Sequence, residues 1–263
     1  MDEHKDHLRV ATTTHSETSN KNIPLENRLY ILNSGMRTTG SIQKLAQGAK
    51  IRSVRFVGEK GYLATERNGS PFVALDLRSP SQPRLAGTLK VNGSATYLHP
   101  VDNNHLIAIG RESSSDKNNN ILLSMFDVSD LNKPKEKHKL VLKAKQSEAL
   151  YNHKAFNYFQ LKGLLAIPIT EYKEDKEAKA KLYIPGVHLY RVSTTKGFAL
   201  HGKVDHRDLE EDASQATKRF ASQQATVQRS IFINDYFFSI STIGLKVNKL
   251  DNLKDSVQNI LFP

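Results

Sequence analysis

The sequence contains no cysteine and no tryptophan, and its apolar runs are short. Without thiols it cannot hold a disulfide framework, a thiolate nucleophile or a cysteine-ligated zinc or iron–sulfur site. No run approaches the ~18 apolar residues that cross a membrane as a helix, so we expect no membrane span. Met1 to His7 is polar and has no apolar stretch behind it, so we expect no signal peptide in this chain.

The composition that remains is polar and basic. The 263 residues include 38 Lys+Arg against 27 Asp+Glu, a formal net charge of +11, and 38% are hydrophobic. Helical periodicity is nearly absent. Short β-rich runs, such as Gly163 to Ile167 and Ile231 to Ile233, are instead bounded by Gly, Asn, Asp and Pro. This pattern is typical of strands joined by tight turns and predicts an all-β chain.

The sequence also repeats itself. Val73 to Pro80 aligns without a gap on Ser124 to Leu131, and in each segment a proline follows the aspartate by seven residues. Weaker copies occur upstream and downstream. The equivalent positions are Asn33, Asp76, Asp127, Arg191 and Asn248. The shortest interval, 43 residues from Asn33 to Asp76, fits a four-stranded propeller blade of roughly 40–45 residues.

We therefore predict an all-β fold, a β-propeller of four blades plus most of a fifth, forming the C-terminal part of a larger propeller. Residues 1–6 are predicted to be a disordered tail and residues 7–263 the propeller domain. The blades are expected near 7–45, 51–91, 95–142, 148–204 and 227–262. Inner strands are predicted at Ile51 to Val57, Thr96 to Val101, Glu148 to Phe156 and Val227 to Ile233, which leaves the first blade without one.

Polar insertions lengthen the later repeats. They lie at 111–120, 171–181 and 205–226, and Gly, Ser, Asn and charged residues dominate them. We expect these tracts to be surface loops. The third is predicted to contain a short helix around Ala213 to Phe220.

A series of motifs in one order resembles a known family. The motifs are Ile51 to Gly58 with Gly61 to Thr65, Tyr97 to Pro100 with His105 to Gly110, Phe126 to Asp130, Glu148 to Phe156, and Gly244 to Asn248. Together they resemble the prokaryotic secreted proteins with a C-terminal β-propeller distantly related to WD repeats. The resemblance implies a secreted or cell-surface propeller of unassigned activity, and it brings no catalytic residues and no cofactor.

Aligned inner strands place basic or imidazole groups at one position of several blades. Arg55, His99 and Arg229 are equivalent, and His153 joins them if a short insertion follows it. Inner strands line the central channel of a propeller. Converging positive charge there would hold a phosphate, sulfate or carboxylate. The alternative is that these side chains form hydrogen bonds between neighbouring blades.

Other candidate groups favour structural roles. His99 with His105, and His201 with His206, are too far apart along a strand to chelate one ion, so we expect no metal site. Asp76 and Asp127 each end a strand, where a carboxylate accepts a local backbone N–H in an Asx turn. No Gly-x-Ser-x-Gly, Walker or His-Glu-x-x-His motif is present.

The net charge is partly concentrated in one stripe of lysines. These are Lys133, Lys135, Lys137, Lys139, Lys143 and Lys145, predicted to project largely to one side of an outer strand. Edge lysines prevent strand-to-strand aggregation, and weak polyanion contact is the alternative. Nucleic acid is disfavoured because the stripe lacks interleaved aromatic residues.

The sequence thus predicts a non-enzymatic scaffold that binds a protein or glycan partner and needs no cofactor. The alternative is a hydrolase or lyase acting on an anionic substrate. In that case Arg55, His99, His153 and Arg229 would supply its binding and acid–base groups.

Overall fold

The computed structural model describes residues 1–14, 25–65, 71–113, 119–175, 180–212 and 225–262. Within these ranges the chain forms five four-stranded antiparallel sheets, and within each sheet the four strands are neighbours in sequence order. The predicted all-β, propeller-like fold class is confirmed. The chain divides into two compact units, Met1–Val141 with three sheets and Leu142–Pro263 with two. The prediction of one domain over 7–263 stays a prediction.

The first unit contains twelve strands within its described residues. The first sheet comprises β1 (Asp2–His4), β2 (His7–Thr14), β3 (Glu26–Leu32) and β4 (Thr38–Leu45). The second comprises β5 (Ile51–Val57), β6 (Lys60–Thr65), β7 (Pro71–Asp76) and β8 (Arg84–Lys90). The third comprises β9 (Gly93–Pro100), β10 (His105–Glu112), β11 (Ile121–Asp127) and β12 (Lys135–Leu142).

The second unit contains eight further strands among the residues described. The fourth sheet comprises β13 (Asn157–Phe159), β14 (Leu164–Asp175), β15 (Ala180–Ser193) and β16 (Gly197–Asp205). The fifth comprises β17 (Val227–Ile233), β18 (Tyr236–Ser241), β19 (Gly244–Lys249) and β20 (Asn252–Leu261). Short helical segments are the 3-10 turns Glu148–Leu150, His153–Ala155 and Gln160–Lys162, and helix α1 (Arg207–Asp212).

Within a unit, alternate side chains along the strands are buried between neighbouring sheets. In β3 every second residue is buried, so that Leu29 and Ile31 pack toward the second sheet. Between the second and third sheets the Phe72 ring stacks on Phe126, with centroids 4.6 Å apart. In the second unit, Phe237 packs with buried residues of the fourth sheet. The period of two along each strand thus supplies the apolar faces that join the sheets.

The N-terminal residues correct one expectation. Residues 1–6 were predicted to be a disordered tail, but Asp2–His4 forms β1 and completes the first sheet. Arg9 holds this strand, since its Nε and Nη2 donate to the Asp2 carboxylate at 2.7 Å each. Its Nη1 donates to the carbonyl of Gly58 at 2.5 Å, and its guanidinium lies 4.8 Å from the Phe56 ring centre. The strand was missed because residues distant in sequence order it.

The insertions also differ from expectation. Tract 171–181 was predicted to be a loop, but its described residues are strand, because β14 continues to Asp175 and pairs there with Ala180 at the start of β15. Helix α1 lies at the start of the third insertion. The helix predicted around Ala213 to Phe220 lies outside the described residues.

Candidate functional site

Two of the four predicted site residues lie in the first unit. Arg55 is on β5 opposite Tyr62, and His99 is on β9 opposite Ile107, and both are half-buried. The Tyr97 hydroxyl lies 3.2 Å from His99 Nδ1. Burial, and secondly the charge of Arg55, lower the pKa of His99 to about 4. At neutral pH, therefore, Arg55 carries the positive charge here and His99 is a neutral hydrogen-bonding group.

The other two predicted residues lie in the second unit. Arg229 is exposed on β17, opposite Ile240. The predicted inner strand Glu148 to Phe156 is wrong, because His153 belongs to the 3-10 turn His153–Ala155. The Asn152 side chain caps that turn by accepting the Lys154 N–H at 3.1 Å, which bends the chain away from a strand. The turn packs against β17. Convergence of all four residues on one ligand stays a prediction.

The repeated carboxylates make local turns. Oδ1 of Asp76 accepts the Arg78 N–H at 3.2 Å, and Oδ1 of Asp127 accepts the Ser129 N–H at 3.0 Å. Arg78 and Arg84 both donate to the Asp76 carboxylate. Hydrogen bonds from Arg78, chiefly, hold the pKa of Asp76 far below its usual value despite burial. Asp76 and Asp127 therefore shape the ends of β7 and β11, as the sequence predicted.

A second group of titratable residues lies on the fourth sheet. Oε1 of Glu171 accepts from Lys203 Nζ at 2.6 Å and lies 3.4 Å from His188 Nε2. His188 Nδ1 lies 3.1 Å from the Tyr190 hydroxyl. Burial lowers the pKa of His188 to about 4 and raises that of Tyr190. This cluster holds three adjacent strands together. Across the described residues, no group of three or more His, Asp or Glu side chains is arranged to hold a metal ion.

An open groove lies between the fourth and fifth sheets. Its volume is about 600 Å³. It is lined by Lys162, Leu164, Arg191, His201, Asp235, Tyr236, Lys249, Leu250 and Asp251. The sequence reasoning missed it, because these residues come from six elements and two turns that only packing brings together. The available signal was the pair of turns: Asn234-Asp235 was predicted to be a hairpin turn, and Gly163 follows Lys162.

Two left-handed residues shape the groove. Gly163 has φ 58° and ends the 3-10 turn Gln160–Lys162, so the chain reverses into β14 directly after Lys162. Asn234 has φ 53° and forms the tight turn that presents Asp235. Lys162 and Asp235 form an ion pair across the two sheets. The hairpin turns therefore place charged side chains on opposite sides of one opening.

The groove is richer in positive than in negative charge. Lys162, Arg191 and Lys249 face Asp235 and Asp251 there. Among the residues described, Arg191 and Lys249 form no ion pair, and both are exposed. His201 Nε2 lies 2.9 Å from the Leu250 carbonyl, which ties β16 to the turn after β19. Tyr236 adds an aromatic surface that is 38% exposed. The groove thus offers cationic side chains, carboxylates and an aromatic ring to a polar ligand.

The lysine stripe follows the predicted edge strand. Lys135, Lys137 and Lys139 are exposed along β12, while Glu136 and His138 between them are half-buried. The Glu136 carboxylate accepts from the Ser124 hydroxyl at 2.7 Å. The lysines of the stripe are therefore exposed to solvent on one side of β12, and Glu136 on its other side contacts β11. Weak polyanion contact through it stays a prediction.

Comparisons with known proteins bear on the fold. A family model described as a beta propeller domain matches residues 1–253. An uncharacterised protein of Archaeoglobus fulgidus is 39% identical over 64% of this chain, and one of Methanocaldococcus jannaschii is 38% identical over 59%. These alignments cover 25% and 24% of those proteins, so the chain spans about a quarter of the curated relatives it matches.

This chain also has a more distant structural similarity to a chain of known structure. A chain from the S. cerevisiae complex of Dbp5 with Nup159, Gle1, IP6 and ADP aligns with a TM-score of 0.45 and 11% identity. The alignment covers 88% of this chain and 56% of that one, and a likeness this weak carries no conclusion. Among the described residues, no helix is both long enough and apolar enough to cross a membrane.

Proposed function

Because the chain belongs to the beta propeller domain family, we propose that it is a non-enzymatic binding scaffold for a protein or glycan partner. We further propose that it acts at the cell surface or outside the cell. The groove between the fourth and fifth sheets carries this proposal, since loops on a rigid frame of sheets are where binding residues concentrate. Location is supported by the motif resemblance alone.

The chemistry of the groove favours an acidic glycan. Arg191 and Lys249 can donate to a sugar carboxylate, and the Arg191 guanidinium can do so through two parallel hydrogen bonds. Asp251 can accept from sugar hydroxyl groups, and Tyr236 presents an apolar ring face to a pyranose. An opening of about 600 Å³ falls within the range of ligand sites, roughly 300–1,000 Å³.

Calorimetric titration with an oligogalacturonate tests the proposal. The full chain should bind the acidic oligosaccharide, with affinity falling as salt is raised, and should not bind maltohexaose. The double substitution Arg191→Gln, Lys249→Gln should weaken binding by at least about tenfold. A matched control, Lys135→Gln, Lys137→Gln, removes the same charge from the stripe and should leave binding within about twofold.

Three results would contradict the glycan site. Equal weakening by both double variants would show a general charge effect. Binding of poly-glutamate but not of the oligosaccharide would indicate an acidic protein partner. Release of a shortened sugar would favour the hydrolase or lyase alternative, which depends on convergence of Arg55, His99, His153 and Arg229 and stays a prediction.

A further inference from the structure

Two arginine residues at the turn between β7 and β8 share one buried carboxylate. Asp76 ends β7, and its side chain is only 7% exposed, whereas those of Arg78 and Arg84 are 66% and 68% exposed. Oδ2 of Asp76 accepts from Nη2 of Arg78 at 2.6 Å and from Nη2 of Arg84 at 2.9 Å. Nε of Arg84 also donates to Oδ2 at 3.0 Å, and Nε of Arg78 donates to Oδ1 at 2.9 Å. The shared oxygen thus holds the two guanidinium groups side by side at the surface.

The turn that carries these arginines packs on the neighbouring first sheet. Its own backbone is closed by the Gln82 N–H, which donates to the Ser79 carbonyl at 3.1 Å. A Cβ at Gly40 of β4 would lie 2.4 Å from the Pro80 carbonyl oxygen and 2.7 Å from Cδ of Pro83. Only glycine leaves room for this contact, so the turn lies directly on the backbone of β4. The arginines therefore flank a segment that packing holds in place, which lowers the entropy lost when a ligand binds.

The third sheet shows that the turn does not need the arginines. Asp127 is the equivalent carboxylate, and its Oδ1 accepts the Ser129 N–H at 3.0 Å and the Ser129 hydroxyl at 2.6 Å. Ser129 occupies the position of Arg78 in the repeat. Lys135 occupies the position of Arg84, and among the described residues it forms no ion pair with Asp127. Because the Asx turn forms without them, the paired guanidinium groups of the second sheet are an addition to it.

The paired arginines line a small opening in which positive charge is in excess. Its volume is about 310 Å³. It is lined by Asp76, Arg78, Ser79, Gln82, Pro83 and Arg84. Two guanidinium groups face one carboxylate there, and Glu59, a further carboxylate that acts on Arg78, is paired with Lys5 at 2.7 Å. In the part of the chain that the structure describes, Nη1 of each arginine has no hydrogen-bond partner.

We propose that Arg78 and Arg84 bind the dianionic phosphate group of a phosphate monoester or of free phosphate. The fork of N–H groups on a guanidinium matches the oxygen atoms of a phosphate, and such charge-assisted hydrogen bonds are roughly twice as strong as neutral ones. Attraction to the excess positive charge grows with the charge of the ligand, so a phosphate dianion binds in preference to a carboxylate. The site belongs entirely to the first unit, whereas the groove of the proposed function belongs to the second, so the two proposals are independent.

NMR titration of the isotope-labelled full chain at constant ionic strength tests the proposal. At about pH 7.5, where phosphate is mainly a dianion, inorganic phosphate and glycerol 3-phosphate should shift arginine Nε–Hε signals. Saturation should occur at roughly 1–10 mM, and acetate should cause no such shift. The double substitution Arg78→Gln, Arg84→Gln should weaken phosphate binding at least about tenfold. The matched control, Lys133→Gln, Lys135→Gln, removes two exposed charges from the equivalent turn of the third sheet and should leave binding within about twofold.

A single substitution separates binding from folding. Arg84→Gln leaves the Asp76 carboxylate paired with Arg78, so its circular dichroism spectrum should match that of the parent, while its phosphate affinity should fall at least about threefold. A response to both phosphate probes would identify a monoester as the source, and a response to inorganic phosphate alone would identify free phosphate. No phosphate-dependent shift up to about 50 mM would overturn the proposal. Parental affinity in a folded Arg84→Gln chain, or equal weakening by the lysine control, would overturn it too.

Discussion

Replacing Arg9 by alanine should detach β1 from the first sheet. The Arg9 side chain is only 4% exposed, and its guanidinium binds the Asp2 carboxylate, the Gly58 carbonyl and the Phe56 ring. Removing one partner of a buried ion pair costs about 3–5 kcal/mol. Asp2 is 34% exposed and regains water when the partner is lost, so we expect the lower end, about 3 kcal/mol.

Urea unfolding and hydrogen exchange measure the two consequences. Arg9→Ala should lower the free energy of unfolding of the first unit by about 3 kcal/mol and remove amide protection from Asp2–His4. Lys5→Ala is the control, because its ion pair with Glu59 is exposed (67% and 42%) and should contribute less than about 1 kcal/mol. Equal losses in the two variants, or retained protection of β1 in Arg9→Ala, would refute the reasoning.

Three further outcomes are expected. Burial, and then the charge of Lys246, hold the pKa of His206 at about 4, below its ordinary 6.5. The folded protein therefore binds fewer protons at His206 than the unfolded chain does below pH 6.5, and the free energy of unfolding should fall by about 2 kcal/mol between pH 7 and pH 5. His206→Gln should make the free energy of unfolding, measured with urea, less dependent on pH over this range. Asn27→Asp would turn a carboxylate toward the Leu45 and Ala49 carbonyls that now accept from Nδ2, and it should cost about 3–5 kcal/mol in urea unfolding at pH 7. Gly110→Ala would place a Cβ 1.7 Å from a backbone carbonyl oxygen, and it should lower the midpoint of thermal unfolding by several degrees.

The sheets were predictable because their signals are local. Alternation in segments such as β3, and turn residues such as Asn234 and Asp76, specify strands and hairpins within about ten residues. Glu148 to Phe156 failed because Ser147 and Asn152 accept backbone N–H groups and form 3-10 turns in an apolar stretch that otherwise suits a strand. β1 failed because Arg9 orders it through a contact 49 residues away.

The candidate site was harder to predict than the sheets. Lys162 and Asp235 meet in the groove although they are 73 residues apart in the sequence. The residues around each of them do not indicate that the other is its partner. Inner-strand alignment predicted that Arg55 and His99 lie at equivalent positions of neighbouring sheets, and their convergence on one ligand stays a prediction. It could not indicate that burial leaves His99 neutral, because burial depends on the packed sheets.

The order of strands in each sheet has a consequence for how such a chain folds and for how its repeats can be duplicated or lost in evolution. Every sheet is a meander of four consecutive strands, so its backbone ladder closes within one contiguous stretch. Short loops between neighbouring strands reduce the entropy lost on closure, and each meander can nucleate on its own before it docks. A duplication or deletion can therefore begin and end between two sheets. Such a change preserves the hydrogen bonds between strands in every sheet and alters only the number of sheets.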